Sequence, residues 1–186
     1  DLGDAIDMIL DGGQVGIGLE STIIDFTEEI PVVLRPGYIS LEMLRETIGD
    51  VKMDRGLLIT DSNVHPKAPG MKYRHYAPKA DLAVVEGPEE AVIRYINAAA
   101  DEAEKKNQRI GIIASAETSS RYNKGIVRSI GSREKEEEIA RHLYEVLRNF
   151  DSDEVSAIYS EAFYTPRMGQ AIMNRLLKAA GHKIIH

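Results

Sequence analysis

Three clusters in this sequence carry side chains able to hold a charged small molecule. The sharpest is Gly16-Ile-Gly-Leu-Glu-Ser-Thr-Ile-Ile-Asp25. Its two glycines let the backbone approach a ligand closely, and the adjacent hydroxyls of Ser21 and Thr22 can donate to phosphate or carboxylate oxygens. Glu20 and Asp25 would then orient an amine or a metal-bound water. The plain alternative is a glycine-bearing turn leading into a strand whose Ser and Thr face solvent. The second cluster is Leu34-Arg35-Pro36-Gly37. A Pro-Gly turn there would hold Arg35 at a strand end, placed to grip a phosphate or carboxylate with two N–H bonds. A surface arginine in a type II turn fits the same residues. The third, Lys72-Tyr73-Arg74-His75-Tyr76, interleaves basic and aromatic side chains. That composition suits a lid whose charges meet phosphates and whose rings stack on a base. It suits equally a weak contact with unpaired RNA bases, or a solvated linker whose tyrosines pack on a neighbouring domain.

Other chemistries are excluded or weakened. There is no Gly-x-x-x-x-Gly-Lys-Ser/Thr loop and no Gly-x-Gly-x-x-Gly after the apolar run at 82–85. The five histidines are scattered, and the absence of cysteine removes disulfides and cysteine-based zinc sites. Nothing resembles a Ser/His/Asp or cysteine nucleophile arrangement. Ser115 with Thr118-Ser119-Ser120 reads as a plain polar loop, and the charge run Arg133 to Glu138 as a solvated helix face.

The elements that must position these clusters follow from periodicity. Residues 4–11 read as a short helix closed by Gly12-Gly13, Val15 to Phe26 as a strand with an internal turn, and Pro31 to Leu34 as a second strand. Ser40 opens a helix running to about Ile48, capped by Gly49. Residues 55–80 contain three prolines and no clear periodicity, the signature of a linker or lid. From residue 81 strands and helices alternate. The strands are Leu82–Val85, Arg109–Ala114, Gly125–Ile130, Val155–Ser160 and Lys183–Ile185; the helices are Pro88–Lys106, Arg133–Phe150 and Gln170–Ala180. Such alternation implies an open, mainly parallel α/β sheet covered by helices, a Rossmann-like domain. The expected organisation is thus 1–54, 55–80 and 81–186.

The chain has 186 residues, 43% hydrophobic and 28% charged, with 23 Lys+Arg against 30 Asp+Glu. That balance excludes a disordered or collagen-like chain and allows one ordinary domain or two small ones. No apolar run approaches the roughly 20 residues that span a bilayer. A net charge of −7 argues against a general nucleic-acid surface. A cytoplasmic protein is the default expectation.

In combination, Gly-x-Glu-Ser21-Thr22-Ile-Ile-Asp25, Arg35-Pro-Gly37, Pro69-Gly-Met-Lys-Tyr-Arg-His-Tyr-Ala-Pro78 and Arg167-Met-Gly-Gln-Ala-Ile-Met-Asn-Arg-Leu-Leu-Lys-Ala-Ala180 resemble the long form of threonylcarbamoyl-AMP synthase. The resemblance implies a tail of a YrdC-like catalytic domain over 1–54, a linker over 55–80 that closes on the active site, and a Rossmann-like domain over 81–186. It implies synthesis of L-threonylcarbamoyladenylate and pyrophosphate from ATP, L-threonine and bicarbonate, with Mg2+, for threonylcarbamoyladenosine modification of tRNA. By the same resemblance Ser21 contacts threonine, while Thr22, Arg35, Lys72, Tyr73, Arg74 and His75 bind nucleotide. The partners implied are small-molecule substrates and a downstream tRNA-modifying transferase, with no stable nucleic-acid binding and no membrane. The family's upstream Lys-x-Arg and Ser-x-x-Asn motifs are missing and the chain opens with Asp1. The expectation is therefore a C-terminal fragment, inactive alone and prone to aggregate or swap unless its first segment is disordered. The rival expectation is a nucleotide- or amino-acid-binding regulatory module without catalysis, built on the Rossmann-like half.

Overall fold

A computed structural model describes residues 5–13, 15–58, 67–68 and 76–186. Two sheets organise them. The first has the order β1-β2-β3, formed by β1 (Ile23–Asp25), β2 (Val32–Arg35) and β3 (Lys52–Met53). β1 and β2 are antiparallel, whereas β2 and β3 are parallel and joined through α1 (Leu41–Ile48). The predicted caps of α1 are present: Ser40 Oγ accepts the Met43 N–H at 3.2 Å and Gly49 donates to Arg45 O at 3.0 Å. Val33, Leu44 and Val51 form its small core.

The second sheet is wholly parallel, as the alternation predicts. It comprises β4 (Asp81–Val85), β5 (Ile110–Ala114), β6 (Ile126–Ser129), β7 (Ala157–Glu161) and β8 (Ile184–Ile185), in the order β6-β5-β7-β4-β8. α3 (Glu89–Lys105) packs Val92, Ile93 and Ile96 on one face against Val85, Ile110 and Ile112. α4 (Glu136–Asn149) and α5 (Gly169–Ala179) cover the other, burying Ile139, Leu143, Leu147, Ile172 and Leu176 against Leu82, Ile113 and Ile158. Each of these side chains contributes roughly 1.5–3 kcal/mol by leaving water, so this double-sided core dominates the stability.

Four expectations are corrected. Residues 5–13 form no α-helix, and Ile6, Met8, Ile9 and Leu10 are exposed. A segment this short cannot hold helical structure without a surface for its apolar side. The strand expected over Val15–Phe26 is confined to Ile23–Asp25, because the residues before it run along α4 instead of along a strand. A helical turn, α2 (Arg55–Leu58), lies inside the stretch read as aperiodic. The charge run at 133–138 is no solvated face. α4 starts only at Glu136, whose side chain is buried and accepts from Thr165 Oγ1 at 2.8 Å and from the N–H groups of Arg167 and Met168.

Several carboxylates carry a pH dependence, and three of them hold separate segments together. For Glu117, burial opposes ionisation, but hydrogen bonds from Ser132, its own N–H, Ser115 and the Arg133 N–H outweigh it and lower the group from 4.5 to about 2. Glu20 and Glu136 are lowered too, again against the cost of burial. The unfolded chain therefore binds more protons than the folded one in acid, so the stabilisation is full above the unfolded value of 4.5 and disappears as pH falls towards about 2. Urea midpoints measured across that range are expected to drop steadily, and Glu117→Gln to flatten part of the slope. An unchanged slope in the variant would show that Glu117 contributes nothing.

Candidate functional site

The predicted clusters at 16–25 and 35–37 meet at the edge of the small sheet. Ile23 of β1 is in register with Arg35 of β2, which brings Ser21 beside the arginine. Arg35 Nε donates to Ser21 O at 2.9 Å and Nη2 to Ser21 Oγ at 3.2 Å. A hydroxyl and a planar cation are thus presented together, and Ser21 is exposed. This pair can receive a carboxylate or a phosphate oxygen, the cation by fork geometry and the hydroxyl by a single bond. Thr22 Oγ1 instead donates to Ile39 O at 2.8 Å, which ties β1 to the segment before α1.

Gly37 is needed where it stands. A Cβ there would sit 2.5 Å from both Glu20 O and Thr22 N, so the Pro-Gly turn lies directly under the Ser21 backbone. Gly37→Ala must push the two segments apart and weaken the Arg35–Ser21 bonds. The expected loss is about 1–3 kcal/mol by urea denaturation, with amide shifts concentrated at 20–22. Shifts spread evenly over the chain would contradict this.

What holds the Ser21 loop from behind comes from the second sheet. Gly18 adopts φ +73, and a Cβ there would lie 2.5 Å from Arg141 Cα on α4. Arg141 donates to Gly16 O at 2.9 Å through Nη2. Glu20 Oε2 accepts from Tyr144 Oη of α4 at 2.7 Å and from Arg175 Nε of α5 at 2.7 Å. Arg175 Nη2 also reaches Pro36 O at 3.4 Å, so one buried guanidinium touches both clusters. The ring of Tyr76 lies on Tyr144, with centroids 4.0 Å apart.

The electrostatics follow from this clamp. Burial works against the Glu20 carboxylate, but the Tyr144 hydroxyl and the Arg175 charge keep it below the usual range. Burial pushes the Tyr144 phenol up, and the Glu20 charge adds to the effect. Burial, together with the Arg175 charge, lowers the Lys178 ammonium to about 8. Oε2 of Glu20 is thus taken up in tying the Ser21 loop to α4 and α5. Asp25 is committed as well, accepting from Thr27 N at 2.9 Å and Thr27 Oγ1 at 2.6 Å. Among the described residues no group of three His, Asp or Glu side chains is placed to hold a metal ion.

The profile of the family described as "Threonylcarbamoyl-AMP synthase, C-terminal domain" matches residues 39–181. The chain belongs to that family. Its similarity to named members extends over the rest of the sequence. The threonylcarbamoyl-AMP synthase of Bacillus subtilis (strain 168) is 43% identical over 185 residues, covering 100% of this chain and 52% of that protein. The one from Pyrococcus abyssi is 41% identical over 180 residues, covering 97% of this chain and 51% of that protein. The chain thus spans about half the length of the curated relatives it matches. A crystal structure of P. abyssi Sua5 complexed with L-threonine matches with TM-score 0.87 at 39% identity, over 100% of this chain and 52% of that one.

Against the sequence expectations, Ser21, Thr22 and Arg35 are brought together, while Lys72, Tyr73, Arg74 and His75 lie outside the described residues. Sequence reasoning missed Arg141, Tyr144 and Arg175 as the support of the Ser21 loop. One signal was available: Arg175 falls among the apolar positions of α5 (Ile172, Leu176, Ala179), and an arginine on a buried stripe needs a partner.

Proposed function

We propose that the chain is part of an enzyme that makes L-threonylcarbamoyladenylate and pyrophosphate from ATP, L-threonine and bicarbonate, for threonylcarbamoyladenosine modification of tRNA. The observation that carries this reading is the 43% identity to a threonylcarbamoyl-AMP synthase along the whole chain. The exposed Ser21–Arg35 pair supports it. In this reading Ser21 fixes threonine, Arg35 holds nucleotide phosphate beside Thr22, whose hydroxyl stays on Ile39 O, and Lys72, Tyr73, Arg74 and His75 cover the nucleotide.

The chemistry asks for little beyond placement. A carboxylate-like oxygen attacks the α-phosphate and pyrophosphate leaves, so positioning and charge neutralisation supply the rate and no protein nucleophile is needed. Arg35, aligned by its bonds to Ser21, neutralises charge on phosphate. A nucleotide covered by Lys72, Tyr73, Arg74 and His75 would keep water from a labile carbamate. The described residues offer no cage for Mg2+, with Glu20 and Asp25 already committed. They do not fit a protein-held ion, and no step is assigned to one. The product then passes to a separate tRNA-modifying transferase in the cytoplasm. With a net charge of −7, this chain makes no stable nucleic-acid contact of its own.

The test is pyrophosphate release that depends on both threonine and bicarbonate. It is run on a protein of the relatives' full length containing this chain, beside the 186-residue chain alone. Turnover is expected only in the longer protein. There, Ser21→Ala should raise KM for threonine about tenfold, and Arg35→Ala should lower kcat/KM about a hundredfold. A longer protein silent with both substrates present overturns the reading.

A further inference from the structure

The large sheet has a second place built to receive a ligand. β4 and β7 are neighbours, yet the helices that follow them, α3 and α5, lie on opposite faces. The loops leaving their carboxyl ends must diverge, which opens a crevice at the point where the strand order reverses. A cavity of about 420 Å3 occupies it, bounded by Val85, Glu86 and Val92 on the β4 side and by Arg133, Glu161 and Tyr164 on the other. That volume lies within the range of small-molecule sites and near its lower end.

The lining is bipolar. Arg133 is held rigidly: Nη2 pairs with Glu161 Oε2 at 2.7 Å, Nη1 donates to Ala162 O at 2.8 Å, and the guanidinium lies 5.1 Å from the Phe163 ring centre. Glu161 is 2% exposed, while the Arg133 side chain keeps 34% of its surface, so the cation and not its counter-ion is accessible. Across the cavity Glu86 receives the Tyr164 hydroxyl and lies 3.8 Å from His186 Nδ1. Val85 and Val92 supply an apolar wall. The segment after β4, Glu86-Gly-Pro-Glu-Glu90, places three carboxylates where a phosphate-binding turn would present glycine amides and bases. Glu89 and Glu90 are taken by Arg121, at 3.0 and 2.6 Å. A phosphate would meet net negative charge there; a zwitterion would not.

We propose that this crevice binds a free α-amino acid, with its carboxylate on Arg133, its ammonium on Glu86 and its side chain against Val85 and Val92. The site is separate from the Ser21–Arg35 pair and stands whether or not the chain belongs to an adenylate-forming enzyme.

Calorimetric titration of the purified chain tests this, with each proteinogenic L-amino acid in turn and with AMP, ATP and putrescine as controls. At least one amino acid is expected to bind with one-to-one stoichiometry, and none of the controls to displace it. Glu86→Gln keeps an acceptor for Tyr164 but removes the charge, and should weaken binding about tenfold or more. Val92→Trp fills the crevice and should abolish it, with folding checked by circular dichroism. Ser21→Ala should leave the affinity unchanged. The proposal is overturned if no amino acid binds, if AMP or ATP competes, or if binding is lost in Ser21→Ala and unaffected by Glu86→Gln.

Discussion

Arg175→Met is expected to lower folding stability by about 3 kcal/mol, the lower part of the range for removing one partner of a buried ion pair. The arginine side chain is 4% exposed and Glu20 26%, so the carboxylate left behind retains some water. Methionine preserves most of the packing length on α5, and the loss therefore reports the charge and its bonds. Glu20 would keep only Tyr144 Oη of its two side-chain donors on Oε2, and Pro36 O would lose its contact. Ser21 follows Glu20 and Arg35 precedes Pro36, so the loosening is delivered straight to the candidate site. On the proposed function, KM for threonine in a full-length enzyme should rise more than kcat falls, because the groups remain but their placement is lost. Removing the Arg175 charge should also raise the Glu20 pKa, which a carboxyl-selective NMR titration reads directly. Glu20→Gln combined with Arg175→Met should cost less than the two singles added together, since they break one interaction. A single Arg175→Met variant within about 0.5 kcal/mol of the parent protein would refute the clamp, since that is the scale of an ordinary surface change.

The large sheet was legible because its strands are local statements. Ile110 to Ala114 are all buried, and β-branched residues covered on both faces read as an unbroken apolar run. The caps of α1 were legible for the same reason: Ser40 and Gly49 act within a few residues of themselves. The Ser21–Arg35 pairing was half legible, since strand and turn signals placed each residue but nothing local fixed their register. The clamp was not legible at all. Tyr144 and Arg175 lie 124 and 155 residues from Glu20, so a glycine-rich loop that looks ligand-seeking in isolation turns out to be gripped by two helices. The misread start of α4 has the same origin. Residues 133–138 look solvated because their charge is visible and their partners, Glu161 and the 165–168 turn, are distant in sequence. Residues 5–13 erred in the other direction, with a helical spacing of apolar groups that stay exposed among the described residues.

Glu161→Ala is expected to be the most damaging change in the large sheet, at about 3–5 kcal/mol. This carboxylate ends β7 in the core, and four donors converge on it. Oε1 accepts from Thr118 Oγ1 and, at 2.7 Å, from Tyr122 Oη; Oε2 accepts from Ser115 N at 3.2 Å and Arg133 Nη2 at 2.7 Å. Ser115 and Thr118 are completely or almost completely buried, which corrects the reading of that stretch as a plain polar loop. Alanine would take the shared acceptor from the buried Ser115, Thr118 and Tyr122 donors, while Arg133, partly exposed and still bonded to Ala162 O, would lose its counter-ion. Glutamine retains one oxygen but turns an amide N–H2 towards donors, so Glu161→Gln should cost about 1–3 kcal/mol. A spectroscopic signature separates this network from simple packing. Burial and then the Glu161 charge raise the Tyr122 phenol well above its ordinary value, keeping it protonated in the folded chain. In Glu161→Gln the charge contribution disappears, and Tyr122 should ionise at lower pH in an alkaline absorbance titration. Stability lost without that shift would mean that the carboxylate fills space and does not organise its donors. With the shift, Ser115, Thr118, Tyr122 and the Arg133 side chain are all set by one buried charge at the end of β7.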